Sequence, residues 1–254
     1  MEIPAHIEAL RAAGDQMAVA VAGLDPEAPV PPCPEWRVRD LVRHTGGVHR
    51  WATGFVRGGT EPVRAELEEV AGGWPADAEL APWLAQGCAD LVAALVEAPD
   101  DLDCWTFLPA PSPRAMWARR QAHETGIHRA DAQRAAGNPL SPLDPAFAAD
   151  GVDELLTLFV PRRGTGLRAD PPVTLRMACA DDDAAWLLLL GADGVTTTAA
   201  VGPEGSGGAD CSVTGRAADL YYALWHRAAG DDLAVSGDAA VLDLFADSVH
   251  IRWG

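Results

Sequence analysis

The chain is predicted to be an α+β protein in two parts, an antiparallel four-helix bundle over residues 1–140 and a small α+β domain over 145–254. Three observations predict it. Long segments with apolar residues at three- and four-residue steps fill the first part, separated by Pro and Gly. A stretch with three prolines in eight residues, Asn138 to Pro145, then breaks the helical pattern. Beyond it come short aliphatic or β-branched segments joined by Asp- and Gly-rich turns.

The first helix is expected from Ile3 to Leu24, with Ile7, Leu10, Met17 and Val21 in its apolar stripe and Asp25-Pro26 as its stop. The second follows Pro31-Pro32-Cys33-Pro34 and runs to about Arg57, where Gly58-Gly59 ends it. Leu41, His44, Val48, Trp51 and Phe55 recur along it, so His44 lies on the stripe that faces the core. The third spans about Ala76 to Ala98 on Leu80, Leu84, Leu91 and Leu95. The fourth spans about Ser112 to Ala136, with Pro113 at its start and Gly137 past its end. In the second part a helix is expected over Ala146 to Val160. Strands follow at Val173 to Ala180, Ala185 to Leu190, Gly194 to Val201 and Asp210 to Thr214, forming a small antiparallel sheet. Helices over Ala217 to Ala229 and Asp238 to Ile251 flank a short strand at Leu233 to Val235.

Glu124 and His128 are the chemistry-bearing pair. A four-residue step on an α-helix leaves two side chains within about 40° of each other, so a carboxylate and an imidazole there could grip one metal ion. His44 is the candidate third ligand, and two His with one carboxylate make a common open catalytic metal site. A solvated Glu–His pair on a helix surface is the alternative reading of the pair alone. His123 does not turn the segment into a zinc-protease signature, because His123 and His128 are five apart and lie about 140° from each other. Asp131, one turn beyond His128, is a candidate carboxylate for orienting the imidazole, or an exposed helix-end residue. His6, His49, His123 and His250 read as structural or surface residues, and Trp51 and Trp117 as core.

The formal charge is −18, which argues against nucleic acid or an anionic membrane and points to a small partner. All basic residues are Arg, and the five cysteines are widely spaced with no Cys-x-x-Cys pair, so no disulfide framework or zinc knuckle is expected. No segment reads as a signal peptide or a membrane span, and the longest apolar run is Ala184 to Leu190. The chain reads as soluble, reduced and cytoplasmic, a monomer or small homo-oligomer.

Three blocks carry a family resemblance: Pro34-Glu35-Trp36-Arg37-Val38-Arg39-Asp40-Leu41-Val42-Arg43-His44; Arg120-Gln121-Ala122-His123-Glu124 through His128-Arg129-Ala130-Asp131; and Leu224-Trp225-His226-Arg227 with Val235-Ser236-Gly237-Asp238. In this order they resemble the mycothiol-dependent maleylpyruvate isomerase family. The resemblance implies a DinB-like bundle and a sterol-carrier-like C-terminal domain. It also implies a divalent metal, usually zinc, on His44, Glu124 and His128. Mycothiol would be the thiol co-substrate, and a small electrophile such as maleylpyruvate the substrate. Arg227, and then Arg120, are the candidates for holding substrate carboxylates, because guanidinium pairs with carboxylate in a fork; a surface arginine is the alternative for each. The family's Leu-Trp-Gly-Arg block carries His226 here in place of Gly, which suggests a narrower pocket or a different substrate. Isomerase, thiol S-transferase and a non-enzymatic metal-containing binding protein all remain open at this point.

Overall fold

A computed structural model describes residues 1–162, 165–201 and 208–251, which fall into two compact units, 1–141 and 142–254. Four long helices build the first: α1 (Ile3–Val21), α2 (Val38–Val56), α4 (Leu80–Glu97) and α5 (Pro113–Ala135). The connection from α2 to α4 carries a single helical turn, α3 (Leu67–Val70), and a 3-10 turn at Asp77–Glu79.

Three of the four long helices start on a local signal. Pro4 sits in the first turn of α1, where a missing N–H costs nothing. The Asp40 carboxylate accepts from the Arg37 N–H at 2.9 Å to begin α2. Ser112 Oγ accepts from the Ala115 N–H at 3.2 Å at the head of α5, whose first residue is Pro113.

The helices run up, down, down, up. α1 packs on α4 and α5, and α2 packs on the same two. Leu10 meets Cys88 while Met17 and Val21 share a core with Leu80 and Leu84, so α1 opposes α4. His6 meets His123 and Gln16 meets Arg129, so α1 runs with α5. By the same reasoning α2 opposes α5 and runs with α4, since His44 faces Glu124, Phe55 faces Trp117, and Arg50 reaches the Trp83 carbonyl. The expected antiparallel plan therefore holds for α1 against α4 and for α2 against α5. The other two neighbouring pairs are parallel because the long 57–79 connection carries the chain back before α4 begins.

One helical segment, Asp77–Glu97, is long and apolar enough to cross a membrane by length and composition. Its Leu80, Leu84, Leu91 and Leu95 are instead buried in the bundle core.

The second unit begins with α6 (Pro145–Glu154), capped by Asp144, whose carboxylate accepts from Ala146 at 2.8 Å, and continues as a π-helical turn, Leu155–Phe159. Then come β1 (Val173–Cys179), β2 (Ala184–Gly191), β3 (Gly194–Val201), β4 (Cys211–Gly215), α7 (Ala217–Leu224), β5 (Ala234–Gly237) and α8 (Ala239–Ser248). The sheet order is β3-β2-β1-β4-β5. It is mixed rather than antiparallel, because β4 pairs parallel to β1, with Leu175 opposite Cys211 and Met177 opposite Val213. The chain passes from β3, at one edge, to the far side of β1 and enters β4 in the direction of β1. Leu175, Met177, Trp186, Leu188, Leu190 and Val213 form the buried face, against which α7 and α8 pack. Leu187 and Leu189 point to the other face and are exposed.

α7 ends five residues earlier than expected, and His226 is the reason. Its φ is +56°, the left-handed region that glycine adopts without strain. The His226 N–H donates to the Ala223 carbonyl at 2.9 Å and the Arg227 N–H to the Tyr222 carbonyl at 2.7 Å, the paired bonds of a Schellman ending. The Gly that the resemblance implies at this position would adopt that backbone without strain. The His226 side chain bonds the Val249 carbonyl through Nε2 at 2.8 Å and stacks on His250, tying the residues just after α8 to the end of α7.

Candidate metal centre

α5 is buried along most of its length although it is rich in polar residues. Arg120, Gln121, His123, Glu124, Thr125, His128, Arg129, Asp131 and Gln133 are all buried. A buried polar group is costly unless paired, so each requires a partner across the bundle or along its own helix.

On the side of α5 that meets α2, Glu124 Oε1 lies 3.2 Å from His44 Nε2 and 3.2 Å from His128 Nε2. One donor atom from each of the three residues lies within 4.8 Å of the other two. Ligands at bond lengths of about 2.0–2.1 Å around a tetrahedral ion stand about 3.3 Å apart, so the two spacings from Glu124 match those of a zinc-type ion. The side-chain exposures of His44, Glu124 and His128 are 14%, 7% and 8%, which leaves the His44 side as the approach from solvent.

The surroundings fix how these donors present themselves. His128 Nδ1 is bonded to Asp131 Oδ2 at 2.9 Å, which turns Nε2 toward Glu124 and His44. The Cys33 thiol donates to the same Asp131 oxygen at 3.7 Å. Arg120 Nη2 donates to Glu124 Oε2 at 3.1 Å. The Trp36 ring lies 4.8 Å from the His44 ring and 5.6 Å from that of His128, covering both. One turn along α2, the fully buried His49 bonds Thr125 Oγ1 through Nε2 at 2.9 Å, a second polar tie between α2 and α5.

The electrostatics follow from these contacts. Burial pushes the Glu124 carboxyl up, but hydrogen bonds from His128 and His44 and the charges of His128 and Arg120 outweigh it. They hold Glu124 well below the usual carboxylate range. Burial likewise pushes His128 down, but its bonds to Asp131 and Glu124 and their charges win and raise it to about 9. His49 is lowered to about 3, by burial first and then by the neighbouring Arg50 charge.

A pH prediction arises here. An imidazole must be neutral to bind a metal, so below pH 9 each ion that binds must displace the His128 proton. Affinity should gain about tenfold per pH unit from this group up to about pH 9, with proton release measurable by calorimetry in buffers of different ionisation enthalpy. An affinity flat between pH 6.5 and 8.5 would contradict it. Without metal, the sign for folding is opposite for the two histidines. His128, raised above its ordinary 6.5, contributes stability that is full below pH 6.5 and lost as pH rises through about 9. His49, depressed, contributes stability that is full above pH 6.5 and lost as pH falls toward 3.

The structure brings His44, Glu124 and His128 together and sets Arg120 and Asp131 beside them. His123 faces α1, its ring 6.0 Å from that of His6, as its angular offset from His128 requires. Arg227 lies in the second unit, just past α7, where its Nη1 donates to the Trp225 carbonyl at 2.7 Å. Sequence reasoning did not single out Trp36, Cys33 or the buried role of His49. The Pro34-Glu35-Trp36 block was the available signal for Trp36, and nothing marked Cys33.

An up-down-down-up bundle with a His-Glu-His cluster between two of its helices, followed in the chain by an α+β unit, defines a two-part protein with a candidate metal centre in its helical part. Comparison with known proteins sharpens this. A sequence profile described as the mycothiol maleylpyruvate isomerase N-terminal domain matches residues 8–133, and one described as the MDMPI C-terminal domain matches residues 146–244. The chain belongs to the mycothiol maleylpyruvate isomerase family, and so to a family of enzymes. A crystal structure of the mycothiol-dependent maleylpyruvate isomerase shares the fold with a TM-score of 0.63 at 14% identity, over 93% of each chain. A histidine-to-alanine mutant of that isomerase matches with a TM-score of 0.62 at 13% identity, again over 93% of each chain. No curated protein sequence matches this chain.

Proposed function

We propose that this protein is a metal-dependent isomerase that uses mycothiol, a low-molecular-weight thiol, to convert the cis double bond of a maleylpyruvate-like substrate to trans. The observation that carries the reading is the His44, Glu124 and His128 cluster, with Asp131 behind His128 and Arg120 behind Glu124. Family membership and the fold shared with the isomerase support it. A divalent ion, zinc by the character of the donors, would supply stabilisation of a thiolate at neutral pH.

The chain's own residues do the rest. His44, Glu124 and His128 would hold the ion, and Asp131 keeps the His128 tautomer correct. Trp36 shields the two imidazole rings from water. A thiolate adds to the cis double bond, the new single bond rotates, and expulsion of the same thiolate leaves the trans alkene, so no thiol is consumed. Arg227 is the proposed partner of a substrate carboxylate, through a bidentate guanidinium pair. The charge of −18 fits a small partner rather than nucleic acid.

A turnover assay on maleylpyruvate, followed by the trans product, tests this. Turnover should need mycothiol and should leave its concentration unchanged. A stable thioether with loss of mycothiol would instead identify an S-transferase acting at the same site. No reaction of either kind would overturn the proposal.

A further inference from the structure

We infer that Arg120 is a positioning residue for the metal-binding carboxylate, and not the group that holds the substrate. The inference rests on the metal reading above and deepens it. Arg120 and Glu124 stand one turn apart on α5, with side-chain exposures of 2% and 7%, and the guanidinium Nη2 donates to Oε2 at 3.1 Å. A guanidinium this enclosed would have to swing out of the helix packing, away from Glu124, to reach a substrate arriving from solvent. That move would strand a buried anion, a change far costlier than any gain from a second salt bridge.

The two oxygens of Glu124 are consequently unequal. Oε1 is the atom 3.2 Å from both His44 and His128, while Oε2 is engaged by Arg120. The arrangement presents one oxygen to an ion and discourages bidentate binding, which leaves coordination space for a thiol. His128 is treated in the same way, since Asp131 holds Nδ1 and leaves Nε2 forward. Arg120, four residues before Glu124, and Asp131, three after His128, thus bracket the two ligands on one helix.

The test is metal affinity, measured on the full chain by competition with a chromophoric chelator, together with the visible spectrum of the cobalt-substituted protein. Arg120→Met should weaken zinc binding about 10–100-fold, the usual effect of losing an outer partner, and should shift the cobalt bands as Glu124 becomes free to bind through both oxygens. Arg120→Lys should fall between the variant and wild type, since it keeps the charge but not the fork. If Arg120→Met does not fold, Arg120→Lys and Arg120→Gln decide by the same two readouts. Affinity within about twofold of wild type and an unchanged cobalt spectrum, with KM for the substrate raised, would overturn the inference and return Arg120 to the substrate. The two readings fail separately: a wild-type chain that binds no ion sinks the proposed function, whereas equal binding by wild type and variant sinks only the role given to Arg120.

Discussion

His44→Ala is expected to abolish useful metal binding and with it turnover, while the bundle still folds. α5 supplies two of the three donors, and their supporting bonds from Arg120 and Asp131 lie on that same helix. His44 is the single contribution of α2, so its loss leaves a two-donor site on α5. Affinity should drop by more than about 100-fold, beyond the range typical of an outer partner. His44 is the most exposed of the three, and Arg120 and His128 remain to pair with Glu124, so the bundle should still fold. Thermal melts give the check. Zinc at 100 times the wild-type dissociation constant should raise wild-type stability by about 2.7 kcal/mol and that of the variant by less than about 0.4 kcal/mol. A variant stabilised as much as wild type would exclude His44 from the site.

Trp117→Ala should have the largest effect on stability of any change considered. Trp117 is fully buried, stacks on Phe55 at 5.2 Å with the rings 8° from parallel, and meets Trp51 edge-on at 5.2 Å. Its Nε1 donates to the Trp105 carbonyl at 3.0 Å, tying the segment before α5 to the bundle. Truncation removes a large aromatic volume and strands that carbonyl, so about 3–5 kcal/mol should be lost. At about 2–4 °C per kcal/mol, the melting temperature should fall by roughly 6–20 °C. Trp117 precedes Glu124 by two turns of α5, so metal affinity of the folded fraction should change little. A loss below about 1 kcal/mol would mean that the aromatic nest is loosely packed.

What could be read in the sequence, and what could not, divides along physical lines. α1, α2 and α4 announce themselves because Pro and Gly bound them and Leu recurs at helical spacing. His44 is visible for the same reason: a histidine on the apolar stripe of α2 stands out against Leu41, Val48 and Phe55. α5 is harder to read. Its polarity suggests a surface helix, whereas the structure buries nearly every side chain from Met116 to Gln133. The pairing of Arg120, Glu124, His128 and Asp131, together with the ties of Thr125 to His49, Arg129 to Gln16 and Gln133 to Ser141, makes that burial tolerable, and no apolar periodicity encodes it. Helix direction was likewise hidden, because the parallel course of α2 and α4 depends on the path of residues 57–79. The strands of the second unit were legible by composition, but β1 and β4 carry the same alternation whether paired parallel or antiparallel. The end of α7 was missed because His226 fills a position where glycine is the usual signal.

In the proposed function a His-Glu-His site on α2 and α5 holds the ion on which a thiol-dependent isomerisation depends. Titrating zinc into chelator-stripped protein, while following maleylpyruvate turnover in the presence of mycothiol, tests it most directly. Activity should rise in proportion to occupancy and level at one ion per chain. Full turnover by the stripped protein, or one ion bound with no turnover at any occupancy, would contradict it.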